Sequence, residues 1–248
     1  MKLVFLGTAG SVPSKRHNTV TLLIDDLLLD CGEGTLRALE RLGLTSRVRG
    51  VFITHLHADH VGGLVSLIWH YMLTGREEEL LIAGPRGLRA SLTSLLNILH
   101  TPLERVKGWL KVKELEEGES LGDISVAKAA HTIPALAFRI DRRASICYSG
   151  DTSPSEEVAK LAEGCDLLIH DAMYPPGAEE EAHLHGHSSA SEAGEVARRA
   201  DVEALALVHL PYYMFEDESF IAEYVRGASR RFEGQVFVPE ELKTYDLT

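Results

Sequence analysis

The chain has 248 residues, 45% of them apolar, and carries 37 acidic against 25 basic side chains for a formal charge of −12. The apolar share supports a sizeable core and excludes a disordered chain. The acidic balance disfavours sequence-blind binding to nucleic acid, which rests on neutralising phosphates.

The elements follow in chain order. KLVFLGT (2–8) reads as a buried strand. It lacks the basic start, long apolar stretch and small-residue cleavage site of a secretion signal, so a cytoplasmic location is expected. No window approaches the run of about 20 apolar residues that a membrane span needs. Three scattered cysteines, Cys31, Cys147 and Cys165, form no CxxC pair and read as reduced and buried. VTLLID (20–25) and LLLD (27–30) are strand patterns joined by a tight turn at Asp25 and Asp26. GTLRALERLG (34–43) is helical, with Leu36, Leu39 and Leu42 on one face and Gly43 as its stop. VFIT (51–54) is a strand; VGGLVSLIWHYMLTG (61–75) and GLRASLTSLLNIL (87–99) are helical. Strands are expected at WLKVKEL (109–115), ISVAKAA (124–130), ALAFRI (135–140), SICYSG (145–150), DLLIHDA (166–172) and LALVHL (205–210), with helices at SEEVAKLAEG (155–164) and SSASEAGEVARRA (188–200). Residues 76–122 are the least decisive. With no repeat or low-complexity linker, residues 1–248 read as a single domain of two sheets with helices outside.

One stretch stands apart. HLHADHVGG (55–63) follows a strand and gathers His55, His57, Asp59 and His60 on a short loop. Imidazole nitrogen and carboxylate oxygen are the ligands a borderline cation such as zinc prefers. Extended backbone alternates its side chains, so His55 and His57 point the same way and can chelate one ion. Asp59 and His60 come where the chain turns, and point at a neighbouring spot; Gly62 and Gly63 let the backbone pass close by. The loop thus offers two adjacent half-sites. Further ligands must come from elsewhere, and three strand-end positions offer them: His131, Asp151 and His209. Asp151, a carboxylate, is the best placed to bridge two cations.

The chain resembles the metallo-β-lactamase superfamily, and more closely its ribonuclease Z branch. FLGTAGSVPSKRHNT (5–19), LLLDCGEGTLRAL (27–39), FITHLHADHVGGL (52–64), IAGPRGL (82–88), YSGDTSP (148–154), LLIHDA (167–172) and GHSSASEAGEVA (186–197) carry the likeness. It implies an α+β fold, a four-layer αββα sandwich with the metal site at its edge. It implies two divalent ions, zinc or else manganese or iron. His55, His57 and His131 would hold one; Asp59, His60 and His209 the other; Asp151 and a solvent oxygen would bridge both. Asp59 would orient, and take the proton from, the nucleophile, and His187 would protonate the departing oxygen. The implied function is a metal-dependent hydrolase: a phosphodiesterase and endonuclease acting on transfer-RNA 3′ ends, in a homodimer.

Three departures loosen the substrate. Ribonuclease Z usually carries a long arm between the equivalents of His131 and Asp151, where this chain has nineteen residues. Its HEAT-like stretch appears as HDAMYPP (170–176), and the end near the last histidine as HLPYYM (209–214). A small-molecule hydrolase acting on a cyclic phosphodiester or an aryl sulfate ester is therefore an alternative, and a non-catalytic zinc module a weaker one. Of the other histidines, His183 and His185 read as surface groups, His170 as structural, His70 and His100 as core or surface, and His17 as part of a solvated loop. The basic groups Lys15, Arg16, Arg47, Arg49, Arg139, Arg142 and Arg143 are expected to face solvent. Glu33 is undecided, and Ser189 with Glu192 fits a helix capping box.

Overall fold

The first half of the chain builds one sheet and the helices that cover it. Its elements are β1 (Lys2–Gly7), β2 (Ala9–Gly10), β3 (Thr21–Ile24), β4 (Leu27–Leu29), α1 (Thr35–Leu42), β5 (Gly50–Phe52), α2 (Ala58–Val61), α3 (Leu64–Thr74), β6 (Leu80–Gly84), α4 (Leu88–Ile98) and β7 (Leu110–Glu114). The second half supplies β8 (Ser120–Leu121), β9 (Ile124–Ala129), β10 (Ala135–Asp141), β11 (Ser145–Tyr148), α5 (Glu156–Leu161), β12 (Leu167–Asp171), α6 (Glu179–Leu184), α7 (Ala190–Arg199), β13 (Ala204–Val208), β14 (Leu210–Pro211), α8 (Glu218–Ser229), β15 (Gln235–Phe237) and β16 (Thr244–Asp246). The computed structural model describes residues 1–15, 17–216 and 218–247. Arg16, named above among the basic groups, lies outside the described residues.

Two seven-stranded sheets face each other, in the orders β16-β1-β3-β4-β5-β6-β7 and β15-β13-β12-β11-β10-β9-β8. Central strands such as β3, β4, β12 and β13 are near-continuous apolar runs because both their faces are covered. Between the sheets, Phe5, Leu22, Leu29 and Phe52 pack against Phe138, Ile146, Tyr148 and Ile169. Outside the first sheet, Leu39 of α1, Leu67 and Ile68 of α3, and Leu92 of α4 cover Leu28, Val51 and Ile82. Outside the second, Ala193, Val196 and Ala197 of α7, with Tyr224 and Ala228 of α8, cover Leu168 and Leu205. This is the αββα sandwich.

Strand direction then decides where polar groups can gather. β9 and β11 are both antiparallel to β10, and β12 and β13 continue parallel to β11. So β9, β11, β12 and β13 all present their carboxyl ends at one edge of their sheet. β4 and β5 are likewise parallel in the other sheet. Loops leaving the carboxyl ends of parallel strands are where such architectures place ligand-binding groups.

Elements beyond the sequence expectations have physical reasons. β6 emerges from the indecisive stretch because LLIAG is sandwiched between β5 and β7. Residues 179–184, which include part of the HLHGH loop, form α6, and its first turn holds Glu179, Glu180 and Glu181, where acidic groups favour a helix start. α8 is anchored by Tyr224 and Ala228, four residues apart on one face. No helix among the described residues is long and apolar enough to cross a membrane.

Candidate metal centre

The structure brings all seven expected ligand residues to one edge of the sandwich. His55, His57, Asp59 and His60 lie on the loop and short helix α2 after β5; His131 follows β9, Asp151 follows β11, and His209 follows β13. Two sets of ligand atoms form, His55–His57–His131–Asp151 and Asp59–His60–Asp151–His209, each with its atoms within 4.8 Å of one another. Asp151 belongs to both. Its Oδ2 lies 3.6 Å from His55 Nε2 and 3.3 Å from His209 Nε2, and its Oδ1 lies 3.4 Å from His60 Nε2.

Ring orientation follows from what holds the far nitrogen of each histidine. His131 Nδ1 donates to the Gly186 carbonyl at 2.7 Å, which leaves the Nε2 lone pair facing His57 and Asp151. His60 Nδ1 donates to Asp30 Oδ2 at 2.8 Å, so its Nε2 faces Asp59 and Asp151, 3.4 Å from each. His55 Nδ1 sits 3.0 Å from the Thr54 hydroxyl, and its Nε2 turns to the centre. Burial first, then the neighbouring imidazole of His60, pushes the His55 pKa down to about 2, so the ring stays a neutral lone-pair donor as ligation requires.

The carboxylates are held charged. Burial alone would raise the pKa of Asp59, but His209 and His60 outweigh it and hold the carboxyl well below the usual range. Asp151 is pulled down in the same way by His209, His60 and His55. Burial pulls His60 toward neutrality, yet Asp151 and Asp30 hold its pKa well above the ordinary value. The centre is thus a buried field of negative charge that attracts cations.

The donor set fits divalent metal ions. His60 Nε2 and Asp151 Oδ1 are buried polar atoms with no hydrogen-bond partner, and both point into the shared space. Buried polar atoms without partners are costly, and a cation here would take the place of the proton on His60 Nε2 and satisfy both atoms at once. Four nitrogens and oxygens per set suit zinc-type coordination.

Two buried carboxylates escaped the sequence reading. Asp30, at the end of β4, accepts from Thr54 N (2.8 Å), Tyr148 Oη (2.8 Å) and His60 Nδ1 (2.8 Å), and so fixes one imidazole from behind. Asp171, at the end of β12, accepts from His187 Nδ1 at 2.9 Å. It also takes backbone N–H bonds from Thr152 and Met173 at 3.1 and 3.0 Å. Asp171, His187 and His209 form a third close group, but the Asp171 oxygens are already used by these donors. Both carboxylates terminate an apolar strand, the same signal that marked Asp151.

His187 projects beside the cluster, its ring nearly parallel to that of His209 at 5.1 Å. Burial lowers its pKa, but Asp171 reverses this and raises it to about 9, so the ring is protonated at neutral pH. With Nδ1 bonded to Asp171, Nε2 is the nitrogen free to deliver a proton.

Backbone approach is as close as the side chains. A Cβ on Gly32 would lie 1.9 Å from Thr19 Oγ1 and 2.0 Å from the Asp59 carbonyl. One on Gly10 would lie 2.6 Å from His209 Nδ1. Next to Gly10, Ser11 N donates to Asp59 Oδ2 at 2.9 Å. His209 adopts φ 58, a left-handed conformation uncommon for a non-glycine residue, and here it turns the ring into the centre.

The remaining candidates fall elsewhere. His170 is fully buried, its Nδ1 donating to the Asp171 carbonyl. His183 pairs with Glu192, His70 lies 3.6 Å from Glu40, and His100 sits exposed past α4. Arg139 and Arg142 pair with Asp141, Asp25, Asp26 and Asp123 rather than facing solvent unpartnered. Ser189 and Glu192 do form the capping box of α7.

Comparison with known proteins finds relatives along the whole chain. A family model described as "Anti-Pycsar protein Apyc1" matches residues 1–189. Ribonuclease Z of Natronomonas pharaonis is 31% identical over all of this chain and 98% of its own length, and that of Metallosphaera sedula is 32% identical over all of this chain and 99% of its own. Among solved structures, the metallo-β-lactamase fold protein YhfI from Bacillus subtilis superposes with a TM-score of 0.84 at 23% identity, covering 99% of both chains. Human tRNase Z, short form, does so at 0.80 and 24%, covering 100% of both. The Natronomonas alignment runs over 307 positions against 248 residues here, so about 59 of its positions face no residue of this chain.

Proposed function

The chain belongs to the metallo-β-lactamase superfamily, to its ribonuclease Z-like branch and to the Apyc1 family, and we propose that it is a two-cation phosphodiesterase that cleaves transfer-RNA 3′ ends. The observation that carries this reading is the pair of four-residue ligand sets that share Asp151. His55, His57, His131 and Asp151 would hold one ion, and Asp59, His60, His209 and Asp151 the other. Zinc suits these nitrogen and oxygen donors, with manganese or iron as substitutes. Bound in this way, the ions supply Lewis acidity and shift the ionisation of water toward neutrality.

The chain's own residues do the rest. Asp59, fixed by Ser11 N–H, orients the attacking water. Its carboxylate, held charged by His209 and His60, accepts a hydrogen bond from that water. His187, charged by Asp171, gives its Nε2 proton to the departing oxygen as the bond to phosphorus breaks. The enzyme works in the cytoplasm as a homodimer; its three cysteines, free and buried, fit a reducing compartment.

A second substrate reading has its own support. Where the ribonuclease Z arm would lie, β10 and β11 pair directly across a short turn, Asp141 opposite Ser145. A small cyclic phosphodiester needs no arm. One assay series separates the two: precursor transfer RNA, a cyclic nucleotide, bis(p-nitrophenyl) phosphate and an aryl sulfate, each over a range of salt. Transfer-RNA cleavage with affinity falling steeply in salt supports the first reading. Cyclic-nucleotide turnover insensitive to salt, with no transfer-RNA cleavage, replaces it with the second. No turnover of any of them by metal-loaded protein overturns both.

A further inference from the structure

We propose that Tyr174 and His185 form a flat shelf on the rim of the centre on which a nucleobase of the substrate's leaving portion stacks. The inference rests on the phosphodiesterase reading above and names the part of the substrate that the site selects. Tyr174 Oη lies 2.6 Å from His185 Nδ1, and the two rings are within 13° of parallel with centroids 6.0 Å apart. A hydrogen bond that short between parallel rings cannot span the thickness of a face-to-face stack. The rings therefore lie side by side, edge to edge, and offer adjoining, nearly parallel faces. His185 is exposed and Tyr174 half-buried, so part of this surface is open.

The shelf is held rigidly. Tyr174 N donates to the Ser188 carbonyl at 3.2 Å, and the Tyr174 carbonyl accepts from Ala190 N at 3.0 Å. Pro175 and Pro176 follow directly and stiffen the exit. A stacking surface that is already ordered loses little entropy on binding.

Its position selects the leaving side. The Tyr174 ring is 6.3 Å from that of His187, tilted by 38°. The short segment that carries His185 also carries the Gly186 carbonyl that orients His131, and then His187 itself. A group resting on the shelf is thus beside the residue that protonates the departing oxygen, and the aromatic plane accepts any base because every base has a π-face.

The test compares dithymidine monophosphate with two analogues, each abasic on one side of the phosphate, using wild-type holoenzyme, Y174A, Y174F and H185A. The readout is the ratio of kcat/KM for the base-bearing substrate over the leaving-side abasic analogue. The shelf predicts a ratio of roughly 10 to 100 in the wild type. It should fall toward one in Y174A, fall less in H185A, and stay near wild type in Y174F, which keeps the ring. A purely structural role for the pair would lower both rates together and leave the ratio unmoved, which overturns the shelf. A ratio near one in the wild type does the same and leaves the phosphodiesterase reading intact. Should no diester be cleaved, calorimetry of thymidine 3′-monophosphate and thymidine 5′-monophosphate, each against the corresponding deoxyribose phosphate, still decides. Tighter binding of the base-bearing phosphate that Y174A abolishes supports the shelf, and equal affinities refute it.

Discussion

Asp171→Asn isolates the acid side of the reaction. Asp171 carries the only change and its partner His187 reads it out. The pair is buried, with Asp171 fully enclosed and the His187 side chain 11% exposed. Burial alone would lower the imidazole below its ordinary 6.5, yet its pKa stands at about 9 because the carboxylate more than offsets that cost. At about 1.36 kcal/mol for each tenfold step in the ionisation constant, the interval corresponds to roughly 3 kcal/mol, the net of burial against the attraction of Asp171 first and then of Asp151 and Asp59. An amide removes the largest of these attractions, so the pKa should fall toward the ordinary 6.5. Since the raised value favours the charged ring, the protonated acid is present in the wild type up to about pH 9 and would be lost in the variant by about pH 7. The assay is kcat against pH for a substrate with an alkoxide leaving group and for one with p-nitrophenolate. The alkaline limb for the alkoxide should move down by at least two pH units. The p-nitrophenolate ester, whose leaving group needs no proton, should keep its rate. Equal losses on both substrates, or an unmoved limb at unchanged metal content, would refute the assignment of His187 as the acid.

Other expectations follow from the shell around the centre. Glu241 accepts from Thr8 N and Thr8 Oγ1 at 2.8 and 3.0 Å, yet burial lifts its pKa from 4.5 to about 7. The folded state therefore binds this proton more tightly than the unfolded chain does. Its contribution is full below pH 4.5 and lost as pH rises through about 7, worth on the order of 3 kcal/mol. Glu241→Gln should gain stability on the wild type by about that amount between pH 5 and pH 8, as calorimetric melts would record; a gap independent of pH would count against the buried-acid reading. Gly32→Ala drives a methyl group into the Asp59 carbonyl, which backbone cannot yield cheaply. It should cost about 1–3 kcal/mol in denaturant melts and weaken metal retention on dialysis, and wild-type values for both would show that the loop accommodates it.

Much of this site can be read from spacing because strands and their ends are local features. HLHADH announces itself within six positions, and Asp151 stands out at the end of an apolar run. Assigning His131 and His209 required the family likeness, since the direction of β9 and β13 in the sheet is a long-range property that no local pattern encodes. Asp30 and Asp171 had the same strand-end signal as Asp151, but an acidic residue after a strand is as often a turn former. Only the meeting with His60 and His187 distinguishes them. The Tyr174–His185 pair was hidden for a different reason. HLHGH resembles a solvated loop until α6 and the β12 exit bring two residues eleven apart edge to edge. In the indecisive 76–122 stretch, β6 is specified by its neighbours β5 and β7 more than by its own five residues.

The direct measurement is diffraction from metal-loaded crystals at the absorption edge of the bound metal. Two anomalous peaks should appear about 3.5–4 Å apart, one among His55, His57 and His131, the other among Asp59, His60 and His209, with the Asp151 carboxylate between them. A single peak, or peaks elsewhere with the imidazoles turned from Asp151, would contradict the account.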